Sequence, residues 1–209
     1  MNIKEYLKDP CGSLSIPYWK SKIMLTPNKI KIYHENDFSY NSNDFIRIDK
    51  YFRLIHTLKN TPNKQADIID IDLQNDLDEI VQMINLSYVN EDISVSIKDV
   101  HKWLNNPTFN NSLWIKIILN QKMIASGIAE YDPNTEEGII EWIQVLPEYQ
   151  GKGFGRKIVK ELLYRLSKLA KFVTVSGRLG NISNPLKLYQ DCGFTGNDIW
   201  YICQTKEDK

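Results

Sequence analysis

The segment Val145-Leu146-Pro147-Glu148-Tyr149-Gln150-Gly151-Lys152-Gly153-Phe154-Gly155-Arg156 decides how this chain is read. Apolar residues with strand character precede it, and a long amphipathic run follows it, with Ile158, Val159, Leu162, Leu163, Leu166 and Leu169 on one helical face. Glycines at alternate positions let a loop take φ > 0 and bring its backbone close to a ligand. The helix behind the loop offers unpaired N–H groups and the positive end of its dipole, which suits a phosphate. Lys152, Arg156 and Lys157 can add charge to the same place. The loop is neither of the two commonest phosphate loops. The Walker pattern is absent, and arginine at position 156 misplaces the third glycine of a dinucleotide fingerprint.

Outward from this loop the chain reads as a regular succession of elements. A short strand is expected at Ile68 to Ile71, and helices at Asp76 to Leu86 and Ser96 to Leu104, the second with Ser96 as N-cap. Leu113 to Leu119 and Lys122 to Glu130 flank Asn120-Gln121 as a hairpin. Gly138 to Leu146 is the next strand, Gly153 to Leu169 the long helix, and Phe172 to Val175 a buried-type strand. Asn184-Pro185 opens a short helix that Gly193 ends, and Asp198 to Cys203 is a closing strand. From Ala66 the order is therefore β-α-α-β-β-β-α-β-α-β, a mixed sheet with helices on both faces. The first 65 residues differ: Lys29 to Tyr33 and Tyr51 to His56 are strand candidates, Ile16 to Trp19 reads as extended chain, and Thr61-Pro62-Asn63 looks like a joint. They are read as a β-rich appendage, residues 1–65, before a domain at 66–209.

Composition bounds the function. The 209 residues carry 26 basic and 26 acidic side chains, 42% hydrophobic and 25% charged residues, as in a soluble globular protein. Zero net charge argues against a dedicated nucleic-acid binder. Cys11, Cys192 and Cys203 form neither a CxxC pair nor a zinc-like cluster and read as free thiols, so a cytoplasmic location is expected. The N-terminus lacks a signal-peptide core, and no apolar run is long enough to span a bilayer. His34, His56 and His101 are isolated and read as structural or surface residues. Trp103, Trp114 and Trp142 read as core or as the lining of a pocket.

A second segment, Asn184-Pro185-Leu186-Lys187-Leu188-Tyr189-Gln190-Asp191-Cys192-Gly193-Phe194, contains a Leu-Tyr-x-x-x-Gly-Phe pattern. With the Val-x-Pro-x-x-Gln-Gly-x-Gly-x-Gly loop and the strand order, it resembles the GNAT N-acetyltransferase superfamily over roughly Ala66 to Cys203. The resemblance implies a mixed, mostly antiparallel sheet, splayed where acetyl-CoA lies between the strands at 138–145 and 172–176. It implies acetyl-CoA as co-substrate and no metal. The cofactor-binding residues would be Ile143, Gln144, Val145, Gln150, Gly151, Lys152, Gly153, Phe154, Gly155, Arg156 and Asn184, with Asn181 an alternative to Asn184 because position 182 is isoleucine. A bulge around Ile143 to Val145 would free backbone groups for pantetheine. The phenol of Tyr189 would protonate the departing thiolate.

A base must free the acceptor amine of its proton. Glu141 is the candidate, placed by strand alternation on one face with Ile139 and Ile143, opposite Trp142. Glu130 and Glu137 sit near strand ends, where solvation is easy, and are weaker candidates. The reading is an N-acetyltransferase acting on a small-molecule or peptide amine. No nucleic acid or membrane partner is expected, and a homodimer is the assembly considered. The competing reading is an acyl-CoA-binding or protein-interaction module without turnover.

Overall fold

The computed structural model describes residues 3–19, 25–39, 44–89, 93–181 and 183–206. They fall into two compact units, Thr57–Val173 and Met1–His56 with Thr174–Lys209. The fold is mixed α/β, and among the described residues eight strands form a mostly antiparallel arrangement. No helix among the described residues is long and apolar enough to cross a membrane.

The unit at 57–173 contains helices α2 (Leu77–Ser87), α3 (Ile97–Leu104) and α4 (Phe154–Leu166) and strands β3 (Ile69–Asp70), β4 (Trp114–Leu119), β5 (Lys122–Asp132) and β6 (Glu137–Val145). Its strands follow the spatial order β6-β5-β4-β3, neighbours in space being neighbours in sequence. The β4–β5 hairpin closes through Asn120 (φ 49°) and Gln121 (φ 63°), the doubly left-handed two-residue turn that matches strand twist. Helix α3 begins in a capping box: the Ser96 hydroxyl accepts the Asp99 N–H while the Asp99 carboxylate accepts the Ser96 N–H. The Ser96 hydroxyl, which also donates to the Asp99 carboxylate at 2.6 Å, then Lys102 at 3.1 Å and the Ser96 N–H, hold the Asp99 carboxyl down at about 2.

Alternation along the strands of this unit selects two faces. Gly127 belongs to the one that α4 covers, and a Cβ there would meet Ile158 Cγ2 at 2.3 Å. Ile158, Val159, Leu162, Leu163 and Leu166 are all fully buried. The other face meets α2 and α3, where Ile80, Met83, Ile84 and Val100 pack on Trp114, Ile128 and Leu146. Within α4, Glu161 is fully buried, bonded by Arg165 Nε at 2.8 Å and by the Gln65 N–H at 2.8 Å. Lys116 and Asp76 form a second buried ion pair.

The other unit contains α1 (Ile3–Lys8), β1 (Ile30–His34), β2 (Phe45–His56), α5 (Pro185–Asp191), β8 (Thr195–Thr205) and β7 (Phe172–Arg178) from Thr174 onward. Its strand order is β1-β8-β2-β7. The two strands from the first 56 residues pair with opposite edges of β8: Lys31 and Ile48 both face Cys203. Leu14, Ile16, Ile30, Trp200 and Ile202 form its apolar cluster, with Trp19, Ile32 and Tyr51 packed against it. Ile16 to Trp19, expected as extended chain, is a turn. Pro17 sets its first central φ, Tyr18 takes φ 65°, and the Trp19 N–H returns to the Ile16 carbonyl at 2.9 Å.

Candidate active site

The glycine loop is held from both ends. The Tyr149 N–H bonds the Leu146 carbonyl at 2.8 Å, and Gln150 Nε2 bonds the Val145 carbonyl at 3.1 Å. The Tyr149 ring meets Phe154 edge-on, and Lys152 Nζ lies 5.2 Å from its centroid. Gly151 (φ 73°) and Gly153 (φ 87°) are both left-handed, and a Cβ at either would find nothing within 4 Å. Open space therefore lies in front of a backbone that only glycine adopts cheaply. Gly153 is the N-cap of α4 and supplies no side-chain cap, and the first intrahelical bond runs from the Lys157 N–H to the Gly153 carbonyl. The first-turn N–H groups of Phe154 and Gly155 thus have no acceptor within the helix. The single carboxylate of the loop, Glu148, is bound by Lys122 at 2.8 Å; that bond lowers the Glu148 pKa and raises that of Lys122. Geometry and charge together suit an anionic phosphate group.

Strand β6 ends at this loop, and its pairing with β5 shows which backbone groups turn away from β5. The Leu146 N–H bonds the Ile124 carbonyl at 3.0 Å, so residues 124 and 146 are a hydrogen-bonded pair. Alternation then makes Gln144 another such pair with Ser126, whereas Ile143 and Val145 turn both N–H and C=O away from β5. Their carbonyls have local donors: Tyr88 Oη donates to Ile143 O at 3.1 Å, and Ser87 Oγ and Gln150 Nε2 donate to Val145 O. Tyr88 and Ser87 lie at the end of α2 and carry no sequence signal for this role. Gln144, expected among the cofactor ligands, is engaged elsewhere. Its backbone faces β5, and its fully buried side chain accepts from Ser126 Oγ at 2.8 Å.

The bulge lies at Glu141, earlier than the expected Ile143 to Val145. Ile128 faces Trp142 and Ala129 faces Ile140, which leaves Glu141 as the extra residue. One added residue breaks the alternation. Ile139, opposite Glu130, shares the α2 face with Trp142 and Gln144, while Ile143, opposite Gly127, belongs to the α4 face. The expected common face for Ile139, Glu141 and Ile143 therefore does not form. Glu141 is half-buried. The expected easy solvation of Glu130 and Glu137 is also corrected: they are 5% and 0% exposed. Thr108 Oγ1 reaches Glu130 at 2.7 Å and Asn106 Nδ2 at 3.3 Å, so a loop distant in sequence covers that strand end.

The other expected site residues belong to the second unit. Tyr189 is 7% exposed, its ring 6.3 Å from Phe52 and 5.7 Å from Phe194. Asn184 takes φ 47° and caps α5 through its side chain, which accepts the Lys187 N–H. Asn181 Oδ1 accepts both the N–H and the hydroxyl of Ser183. Position 182, where the resemblance would call for asparagine, lies outside the described residues. Behind α5, His56 is 4% exposed, and burial lowers its pKa.

Residues 110–196 match the family model of the acetyltransferase (GNAT) domain, a span containing β6, the glycine loop, α4 and Tyr189. The sequence matches none of the curated proteins. Among solved structures, one described as a GNAT-family acetyltransferase from Novosphingobium aromaticivorans is 11% identical, covers 88% of this chain and 71% of its own, with TM-score 0.60. A GNAT-family acetyltransferase from Colwellia psychrerythraea is 13% identical over 84% of this chain and 64% of its own, with TM-score 0.61. A chain of the NatC complex bound to Gag peptide and CoA is 18% identical over 68% of this chain and 99% of its own, with TM-score 0.51. At such identities the likeness is one of fold. This chain spans just under two thirds of the Colwellia protein. Residues 110–196 thus match the acetyltransferase (GNAT) domain, within a fold shared with structures described as GNAT-family acetyltransferases.

Proposed function

We propose that the chain is a cytoplasmic acetyl-CoA-dependent N-acetyltransferase, moving the acetyl group to a primary amine by direct attack in a ternary complex. The observation that carries this is the loop at 150–156: two open, left-handed glycines ahead of a helix with no side-chain cap, fed by a strand whose last residues turn their backbone away from β5. In this reading Gly151 to Arg156 hold the pyrophosphate through backbone N–H groups, with Lys152 and Arg156 adding charge. Ile143 and Val145 present backbone groups to the pantetheine arm, and the Val145 N–H polarises the thioester carbonyl. Acetyl-CoA supplies the activated acyl group.

Glu141 takes the ammonium proton, directly or through water, so the nitrogen lone pair attacks the carbonyl carbon. The C–N bond forms, the C–S bond breaks, the Tyr189 phenol gives its proton to the departing thiolate, and the proton shed by the new amide nitrogen restores the phenol.

Release of free CoA with a panel of amines tests the reading. Turnover is expected to rise with pH along an acidic limb. Glu141→Gln is expected to remove that limb while regaining rate at high pH, where the amine deprotonates itself. Acetyl-CoA binding without CoA release from any amine would leave the non-catalytic module as the better account. An unchanged pH profile in the variant would take the base away from Glu141.

A further inference from the structure

We propose that the solvent-facing side of α4 binds the phosphate backbone of a double-stranded nucleic acid, without regard to its sequence. From Lys152 to Lys171 the chain places seven basic residues and one acidic residue, Glu161, although the two kinds balance over its whole length. The neutral total therefore conceals a segregation of charge. Helical spacing gathers that charge into a stripe. Ile158, Val159, Leu162, Leu163 and Leu166 are buried against the sheet, which turns Arg156, Lys157, Lys160, Tyr164 and Lys168 to the opposite side. Arg156, Lys157 and Lys168 are exposed, and Lys160 and Tyr164 are half-buried. Lys168 Nζ lies 4.9 Å from the centroid of the Tyr164 ring, so the stripe continues past the last turn of the helix. From Arg156 to Lys168 it runs about 18 Å at the rise of an α-helix.

The helix itself gains little from these charges. Arg156 and Lys157 occupy the first turn, where the dipole disfavours cations, and that turn holds no acidic residue. Arg156 and Lys160 are like charges one turn apart, a destabilising pair. The Lys157–Asp67 ion pair, at 3.6 Å, is 48% and 76% exposed, weak enough to exchange for a phosphate. The acetyl-CoA reading accounts for the cations beside the glycine loop; Lys160 and Lys168 stand about one and three turns further along. The make-up of the stripe selects the partner. Its positions hold cations, Tyr164 and Ser167, with no large aliphatic side chain among them. Protein interfaces centre on apolar residues and are depleted in lysine, so an acidic protein fits this surface poorly. Nucleic-acid interfaces are polar and strongly positive, and cations repeated along one line suit a ligand whose charges repeat along one line.

Binding of the full chain to fluorescein-labelled DNA and RNA duplexes of about 20 base pairs, in two unrelated sequences each, is followed by anisotropy from roughly 50 to 200 mM KCl. Affinity is expected to be equal for the two sequences. The slope of log K against log salt is expected at about −3 to −4, as roughly four phosphate contacts require, a loss of about a hundredfold across that range. Lys160→Gln and Lys168→Gln are each expected to bring the slope about one unit nearer zero. Lys98→Gln, at an exposed position of α3 on the other face of the sheet, is expected to leave it unchanged. Binding is expected to persist with saturating acetyl-CoA. No binding at the lowest salt, or one slope shared by wild type and all three variants, would overturn the proposal. So would complete displacement by acetyl-CoA, which would put the nucleic acid in the glycine loop, and so would tighter binding of polyglutamate than of either duplex, which would point to an acidic protein. Each of these results leaves the transferase reading standing.

Discussion

The two units are built from the chain in opposite ways. In the unit at 57–173, β4, β5 and β6 follow one another through short turns, and α4 returns directly onto them. In the other, β8 begins at Thr195 yet lies between two strands drawn from the first 56 residues. Contacts of short sequence separation cost little loop entropy, so the first unit is written in local patterns. The second depends on pairings that close long loops. The same contrast extends to electrostatics. Glu161 is fully buried against Arg165, whereas Asp198, the partner of Arg53, is 35% exposed.

The largest expected effect concerns Tyr189. Tyr189→Phe is expected to keep acetyl-CoA binding and lose roughly 10- to 1000-fold in turnover, as for an acid catalyst or a transition-state hydrogen bond. Wild-type turnover would make Tyr189 a packing residue beside Phe52 and Phe194.

Next come the two arginines. Arg165→Met strands the buried Glu161 carboxylate and is expected to cost about 3–5 kcal/mol, measured as a fall in Tm or in the denaturant midpoint. Arg53→Met leaves Asp198 in partial contact with solvent and removes the bonds to the Leu7 carbonyl; about 1–2 kcal/mol is expected. Equal costs would erase the electrostatic contrast between the units.

A smaller effect depends on pH. Burial lowers the His56 pKa, so the folded state holds it neutral. Its contribution is present above the unfolded value of about 6.5 and is lost as pH falls through the lower folded value. Urea unfolding at pH 7.5 and pH 5 is expected to show stability falling on acidification, with His56→Gln showing a smaller fall. An equal fall in both proteins would show that His56 does not set this dependence.

What the sequence discloses follows the same division. The helices at 77–87, 97–104 and 154–166 are legible because their apolar faces repeat every three to four residues, and Ser96 marks its own cap. The hairpin at Asn120-Gln121 is legible from two apolar runs around a polar pair. Helix α1 has six residues, too few for a period to show. Strand β2 begins at Phe45 rather than Tyr51, because its first half pairs with β8, as Arg47 does with Gln204 and Asp49 with Ile202.

At the site, the glycine loop is a contiguous pattern and its register is visible. The bulge at Glu141 is not, because an extra residue shows itself only against the partner strand. Tyr88 is invisible for a similar reason: its bond to the Ile143 carbonyl joins residues far apart in sequence. The burial of Glu130 depends on Thr108, which no strand pattern includes.

The central claim is that the loop at 150–156 holds the pyrophosphate of acetyl-CoA, and calorimetric titration of wild type and Gly153→Asp with acetyl-CoA tests it most directly. Aspartate tolerates the left-handed backbone better than most residues and meets no neighbouring atom there, so the variant is expected to fold. Its carboxylate would face the ligand phosphates. Saturable binding by wild type and none by the variant, with the two proteins equally folded by circular dichroism, is the predicted result. Equal affinity in both would contradict the claim, and so would the absence of binding to folded wild type.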